Sequence, residues 1–265
     1  MVDYSRFDEL DVRLDGKILR VTLNKPDRRN IIDDAVNRQL GDVFTEAAMD
    51  RDVATVVLTG EGKVFCAGGD MVKMQKKIDD PSLFYAGVHN SRRLVFSVLD
   101  CPKPIIACVN GDAIGLGATL ALLCDIVIVN EDARLADPHT KVGLVCGDGG
   151  ALIWPALIGY ARAKRYLLSG DLITGKDAEA IGLVTFAVSK DELSALTEEW
   201  AQKLANGALQ SIAGTKITMN VPLRQAAQSL LDVGMAYEGL SNITRDHQEA
   251  VTAFIEKRKP EFTGE

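Results

Sequence analysis

The chain lacks most of the signatures that would assign a function at sight. No apolar run approaches the ~20 residues of a membrane span. The opening Met1-Val2-Asp3-Tyr4-Ser5-Arg6-Phe7-Asp8-Glu9 is polar and acidic, unlike a secretory signal or transit peptide, so a cytoplasmic protein is expected. There is no CxxC pair among the five cysteines, Cys66, Cys101, Cys108, Cys124 and Cys146, most of which sit in apolar context. They read as reduced core residues rather than metal ligands or disulfides. A basic excess is missing too: the net charge of −7 argues against nucleic-acid and membrane-surface partners. Without HExxH, GxSxG or a phosphate-loop sequence, zinc hydrolysis, the usual serine-hydrolase route and nucleotide hydrolysis lack support.

What is present is an ordinary globular composition, 47% hydrophobic and 25% charged, over 265 residues. That length suffices for one sizeable core with a smaller appendage. Two alternating runs, Glu9 to Leu14 and Lys17 to Asn24, flank Asp15-Gly16 as a hairpin. Strands are expected at Ala54–Thr59, Ile105–Val109, Asp125–Val129 and Arg134–Ala136. Helical spacing appears around Val36, Leu40, Val43, Phe44 and Ala47, and over 70–77, 82–99 and 116–123. This alternation predicts an α/β core with strands covered on both faces. After Val188 the pattern turns helical, at 191–206, 209–219, 223–240 and 246–258, with Gly207 and Pro222 as punctuation and Ser189 as a cap. The expected division is therefore an α/β core over 1–190 and a helical region over 191–265.

Two segments carry the chemistry. In Val64-Phe65-Cys66-Ala67-Gly68-Gly69-Asp70-Met71 and Asn110-Gly111-Asp112-Ala113-Ile114-Gly115-Leu116-Gly117, an apolar run breaks into small residues and then enters a helix. Glycines allow close approach to the backbone, and the first amides of a helix have no intrahelical acceptor. Two such elbows can aim two N–H donors at one oxygen, an oxyanion hole suited to a thioester carbonyl becoming an enolate. Gly115-Leu116-Gly117-Ala118-Thr119-Leu120 lacks the third glycine of a dinucleotide turn.

On these residues the chain resembles the enoyl-CoA hydratase/isomerase, or crotonase, superfamily. Leu23-Asn24-Lys25-Pro26 with Asn30, Lys103 to Gly111, Cys124-Asp125-Ile126-Val127, Ala178 to Val184 and the terminal Ala253 to Lys259 match in order over nearly the whole chain. The resemblance implies a spiral of ββα units, a helical C-terminal region that builds homotrimers or hexamers, and an acyl-CoA substrate, with no cofactor or metal beyond the CoA moiety. It assigns the oxyanion donors to Gly69 and to Leu116, where the family usually has glycine. It assigns CoA contacts to Lys25, Arg28, Ala67, Asp70, Lys73, Phe254 and Lys257.

The resemblance also exposes a departure. Family hydratases use two glutamates, and this chain has Thr119 and His139 in their places. Histidine can act as acid or base near neutrality, whereas a threonine hydroxyl can only position water or donate a hydrogen bond. Asp148, in Gly147-Asp148-Gly149-Gly150, reads either as a base or as the cap of the helix that follows. His139 could equally be a loop residue bonded to main chain, and Thr119 mere packing. His89 and His247 read as surface residues. Leu83, Phe84, Tyr85 and Trp154 are candidates for the acyl pocket. Hydration or isomerisation thus competes with thioester hydrolysis, carbon–carbon cleavage and dehalogenation, and with a non-catalytic acyl-CoA-binding subunit.

Overall fold

The structure, a computed structural model, describes residues 2–265. In chain order it contains β1 (Leu10–Asp15), β2 (Ile18–Leu23), α1 (Asp34–Met49), β3 (Thr55–Gly60), α2 (Met71–Asp79), α3 (Pro81–Asp100), β4 (Ile105–Val109), β5 (Ala113–Ile114) and α4 (Leu116–Leu123). There follow β6 (Ile126–Asn130), β7 (Arg134–Ala136), α5 (Gly150–Ser169), β8 (Ile173–Thr174), α6 (Gly175–Ala180), β9 (Phe186–Val188), α7 (Lys190–Ala205), α8 (Leu209–Asn242) and α9 (Arg245–Glu256).

The main sheet runs β1-β2-β3-β4-β6-β9, antiparallel only at the β1–β2 hairpin and parallel thereafter. Strand period sorts the apolar runs into two layers. Val56 and Leu58 of β3, Ile105, Ala107 and Val109 of β4, and Val127 and Val129 of β6 enter the larger core, which includes Val36, Leu40 and Phe44 of α1 and Leu94 and Val98 of α3. Val57, Ile106 and Ile128, one residue out of phase, meet Leu193, Ala201 and Ala205 of α7 on the other face. Both faces are covered, so the strands read as continuous apolar runs rather than alternating ones. A smaller sheet, β5-β7-β8, sits where the elbows meet.

Helix starts follow their caps. Asp33 accepts from the Ala35 and Val36 amides at the head of α1, and Ser189 forms a capping box with Glu192 at the head of α7.

The C-terminal region differs from expectation: 209–219 and 223–240 are one helix, α8, which runs through Pro222. An interior proline forfeits one helical hydrogen bond and crowds the preceding turn, costing about 3 kcal/mol. Contacts on both sides offset this. Lys216 Nζ lies 2.7 Å from Asp125 Oδ2, Asn220 Nδ2 donates to the Leu99 carbonyl at 3.0 Å, and Arg224 Nε donates to Asp100 at 2.6 Å. Ala227 and Leu231 then anchor the helix in the larger core.

Candidate active site

The two elbows are pinned together by main chain. The Cys66 N–H donates to the Asp112 carbonyl at 3.0 Å, and the Ile114 N–H donates to the Cys66 carbonyl at 2.9 Å. The Gly115 N–H donates to the Ala136 carbonyl at 2.8 Å, tying the second elbow to β7. Gly68 has φ +86°, and a Cβ there would lie 2.7 Å from the Ile114 carbonyl oxygen. Gly115, at φ 56° and ψ −126°, occupies backbone space that is essentially reserved for glycine. The next residue in each segment is Gly69 or Leu116. Among the described residues neither amide donates to any acceptor, and both residues line one cavity of about 340 Å³.

A buried polar cluster reaches the same cavity. β7 ends at Ala136, so Asp137 and Pro138 lead directly into a 3₁₀ turn, His139–Val142. His139 Nδ1 is hydrogen-bonded to Asp137 Oδ1, and His139 Nε2 lies 3.5 Å from Asp148 Oδ2. Asp148 Oδ1 and Glu238 Oε2 are buried with no hydrogen-bond partner among the described residues. Burial works against the charged form of His139, but the Asp137 and Asp148 carboxylates outweigh it and hold the imidazole well above its ordinary value. Burial, with the charge of Asp137, raises Asp148, while His139 opposes the rise. Glu238 is pushed up to about 8 by burial and by Asp148, against the pull of His139. The two carboxylates thus favour the charged imidazolium, and that charge in turn favours the ionised form of Asp148. The donor atoms of Asp137, His139 and Asp148 lie within 4.8 Å of one another, a spacing that a cation could bridge. With both ring nitrogens turned to carboxylates, the set reads as a proton couple.

Of the residues singled out in the sequence, Gly69, Leu116, His139, Asp148, Ala67, Asp70, Lys73 and Phe254 line the cavity. Thr119 does not. It is fully buried in α4, its methyl packed behind Gly149, and its hydroxyl has no partner among the described residues. Lys25 is paired with Glu9 and lies 3.6 Å from Asp33, and Arg28 lies 2.8 Å from Asp70; neither lines the cavity. Lys257 is exposed in the left-handed turn that ends α9, also off the cavity wall. Asp148 is not the cap of α5, whose N-cap is Gly149, although the Gly150 amide favours the charged carboxylate.

Other expectations are corrected. His247 is fully buried rather than solvated, because α9 packs on the 3₁₀ turn and Nδ1 meets the Val142 carbonyl at 2.6 Å. His89 is exposed, as expected. Phe84 lines the cavity, but Leu83 and Tyr85 face solvent, and Trp154 is core against Tyr166. Sequence reasoning missed Lys77, which lines the cavity 3.6 Å from Asp34, and Glu238. The signal for Glu238 was available: it continues the buried stripe Ala227, Leu231, Met235 of α8, a carboxylate where helical spacing calls for an apolar residue.

Fold and cavity together give an α/β protein with two elbow amides and a buried histidine–carboxylate cluster around one pocket. A family model for enoyl-CoA hydratase/isomerase matches residues 13–265. The 2,3-dehydroadipyl-CoA hydratase of Escherichia coli is 34% identical over 97% of this chain and 99% of its own. The 1,2-epoxyphenylacetyl-CoA isomerase of the same organism is 32% identical over 93% and 95%. A crystal structure of an enoyl-CoA hydratase/isomerase from Mycobacterium paratuberculosis superposes with a TM-score of 0.88 at 36% identity, covering 92% of this chain and 97% of that one. The chain belongs to the enoyl-CoA hydratase/isomerase family and has the crotonase fold; its activity is of that type.

Proposed function

We propose that the protein processes an acyl-CoA thioester through an enolate, held by the Gly69 and Leu116 amides, with Asp148, beside His139, activating water as one hydratase glutamate would. The observation that carries this reading is that both elbows and the Asp137–His139–Asp148 couple line or adjoin one cavity. In hydration, Asp148 takes a proton from water as oxygen attacks the β-carbon. His139, anchored by Asp137, stabilises the charge on Asp148. Electron density moves to the thioester oxygen, where preorganised amides act in a water-poor site. Lys73 and Lys77 on the cavity wall, with Lys25 and Arg28 near its rim, supply positive charge for CoA phosphates. The two E. coli relatives are named for thioesters of an unsaturated dicarboxylic acid and of an epoxidised phenylacetic acid. Phe84, Val88 and Met235 on the cavity wall offer apolar contact to an acyl chain. The same reading has homotrimers or hexamers assembled through residues 191–265.

The test incubates the protein with a panel of enoyl- and saturated acyl-CoAs in deuterated water. Mass spectrometry then follows hydration, hydrolysis and α-carbon exchange together. Hydration or isomerisation with deuterium at the α-carbon is expected. Free CoA as the sole product would assign hydrolysis instead, and tight binding with no exchange on any thioester would leave a non-catalytic acyl-CoA-binding subunit.

A further inference from the structure

Glu238 is a buried carboxyl that the mechanism above does not use. It lines the cavity from α8, whereas His139 reaches the same cavity from the 3₁₀ turn. Its approach depends on two glycines. A Cβ on Gly147 would lie 2.4 Å from the Gly234 carbonyl oxygen and 2.9 Å from Glu238 Oε2, so any larger residue at 147 would hold the loop off α8. The residue is nine-tenths buried, and Oε2 has no hydrogen-bond partner among the described residues. Burial of this kind favours the neutral, proton-carrying form of a carboxyl.

We propose that Glu238 is a further catalytic residue, the carboxylic acid that exchanges a proton with the α-carbon of the acyl-CoA while Asp148 handles water. This rests on the acyl-CoA reading above. The two carboxyls differ in their neighbours. Asp148 faces His139 at 3.5 Å, and that charge favours its ionised form. Glu238 forms no ion pair among the described residues, and burial and the Asp148 charge outweigh the pull of His139 and favour its neutral form, with its pKa pushed up to about 8. The charged or titratable groups facing it are His139 from the 3₁₀ turn, Asp148 and the Cys146 thiol from the loop, and Lys77 from α2.

The step balances. Water gives a proton to the Asp148 carboxylate as its oxygen bonds to the β-carbon, and the alkene electron pair moves to the thioester oxygen. The enolate then collapses, its α-carbon taking the Glu238 proton. Asp148 returns a proton to Glu238, so the enzyme resets with one water added to the substrate.

Microscopic reversibility separates the two carboxyls experimentally. With butanoyl-, octanoyl- and phenylacetyl-CoA in deuterated water, the wild type is expected to exchange α-protons at a rate that rises with pH through about 8, as Glu238 ionises. Glu238→Gln should lose exchange and hydration at least a hundredfold, the lower end of general acid–base effects, with acyl-CoA affinity within threefold and no loss of thermal stability. Glu238→Asp should recover part of the exchange. Asp148→Asn should lose hydration but keep exchange. Exchange surviving in Glu238→Gln, or lost in Asp148→Asn alone, would overturn the assignment. A wild type silent on every thioester, in exchange and in turnover, would instead overturn the acyl-CoA reading beneath it.

Discussion

His139 lies between two carboxylates, its Nδ1 bonded to Asp137 and its Nε2 3.5 Å from Asp148. The first contact fixes the ring and the second points it at the cavity, so the two aspartates have different duties. Asp137→Asn should leave the fold intact but cut turnover at least about a hundredfold, because the ring loses the acceptor that orients it and favours its charge. Steady-state kinetics with a matched thermal melt distinguishes this from unfolding.

Protonation of the cluster makes stability fall as pH rises. His139 has a raised folded pKa, so its contribution is complete below about 6.5 and is lost as pH climbs through the raised value. Glu238, raised to about 8, favours the folded state when neutral and loses that preference between its ordinary value and about 8. Both act in the same direction between pH 6.5 and 8. Urea denaturation should show lower stability at pH 8.5 than at pH 6. In Glu238→Gln, which cannot titrate there, the decline should shrink.

The second elbow should tolerate a side-chain change better than a backbone change. Leu116→Ala keeps the amide and should stay within about fivefold of wild-type turnover. Gly115→Ala forces a side chain into glycine-only backbone space, costing about 1–3 kcal/mol and displacing the Leu116 donor. Loss of one oxyanion donor is worth about a hundredfold or more in turnover. Parallel kinetics and melts on the two variants check this.

Lys73 and Lys77 face the cavity with Asp33 and Asp34 as their neighbours, at 3.3 and 3.6 Å. Replacing both by Ala should raise KM for acyl-CoA about tenfold, roughly 1.4 kcal/mol, with little change in kcat. An acyl thioester of N-acetylcysteamine, which lacks the nucleotide, should show no such increase.

Much of this was legible in the sequence, for physical reasons. The runs at β3, β4 and β6 betray strands covered on both faces, and the glycines at 68 and 115 mark backbone that only glycine adopts. His139 stood out because it holds the place of a hydratase glutamate, and Asp148 because it is the carboxylate of a glycine-rich loop, though each also had a structural reading. Thr119 was misplaced because position in a motif does not report which way a helical side chain faces, and its methyl packs against Gly149 rather than lining the cavity. Pro222 misled because local propensity yields to the contacts of Lys216, Asn220 and Arg224. Glu238 and His247 lie ~100 residues along the chain from His139, and only the packing of α8 and α9 brings them to it.

The most direct measurement is the turnover of Asp148→Asn beside wild type on the best substrate of the acyl-CoA panel. A fall in kcat of a hundredfold or more, with KM within threefold, is the expected result for a residue that takes a proton in the reaction. Wild-type kcat in that variant would contradict the assignment of Asp148, beside His139, as the group that takes a proton from water.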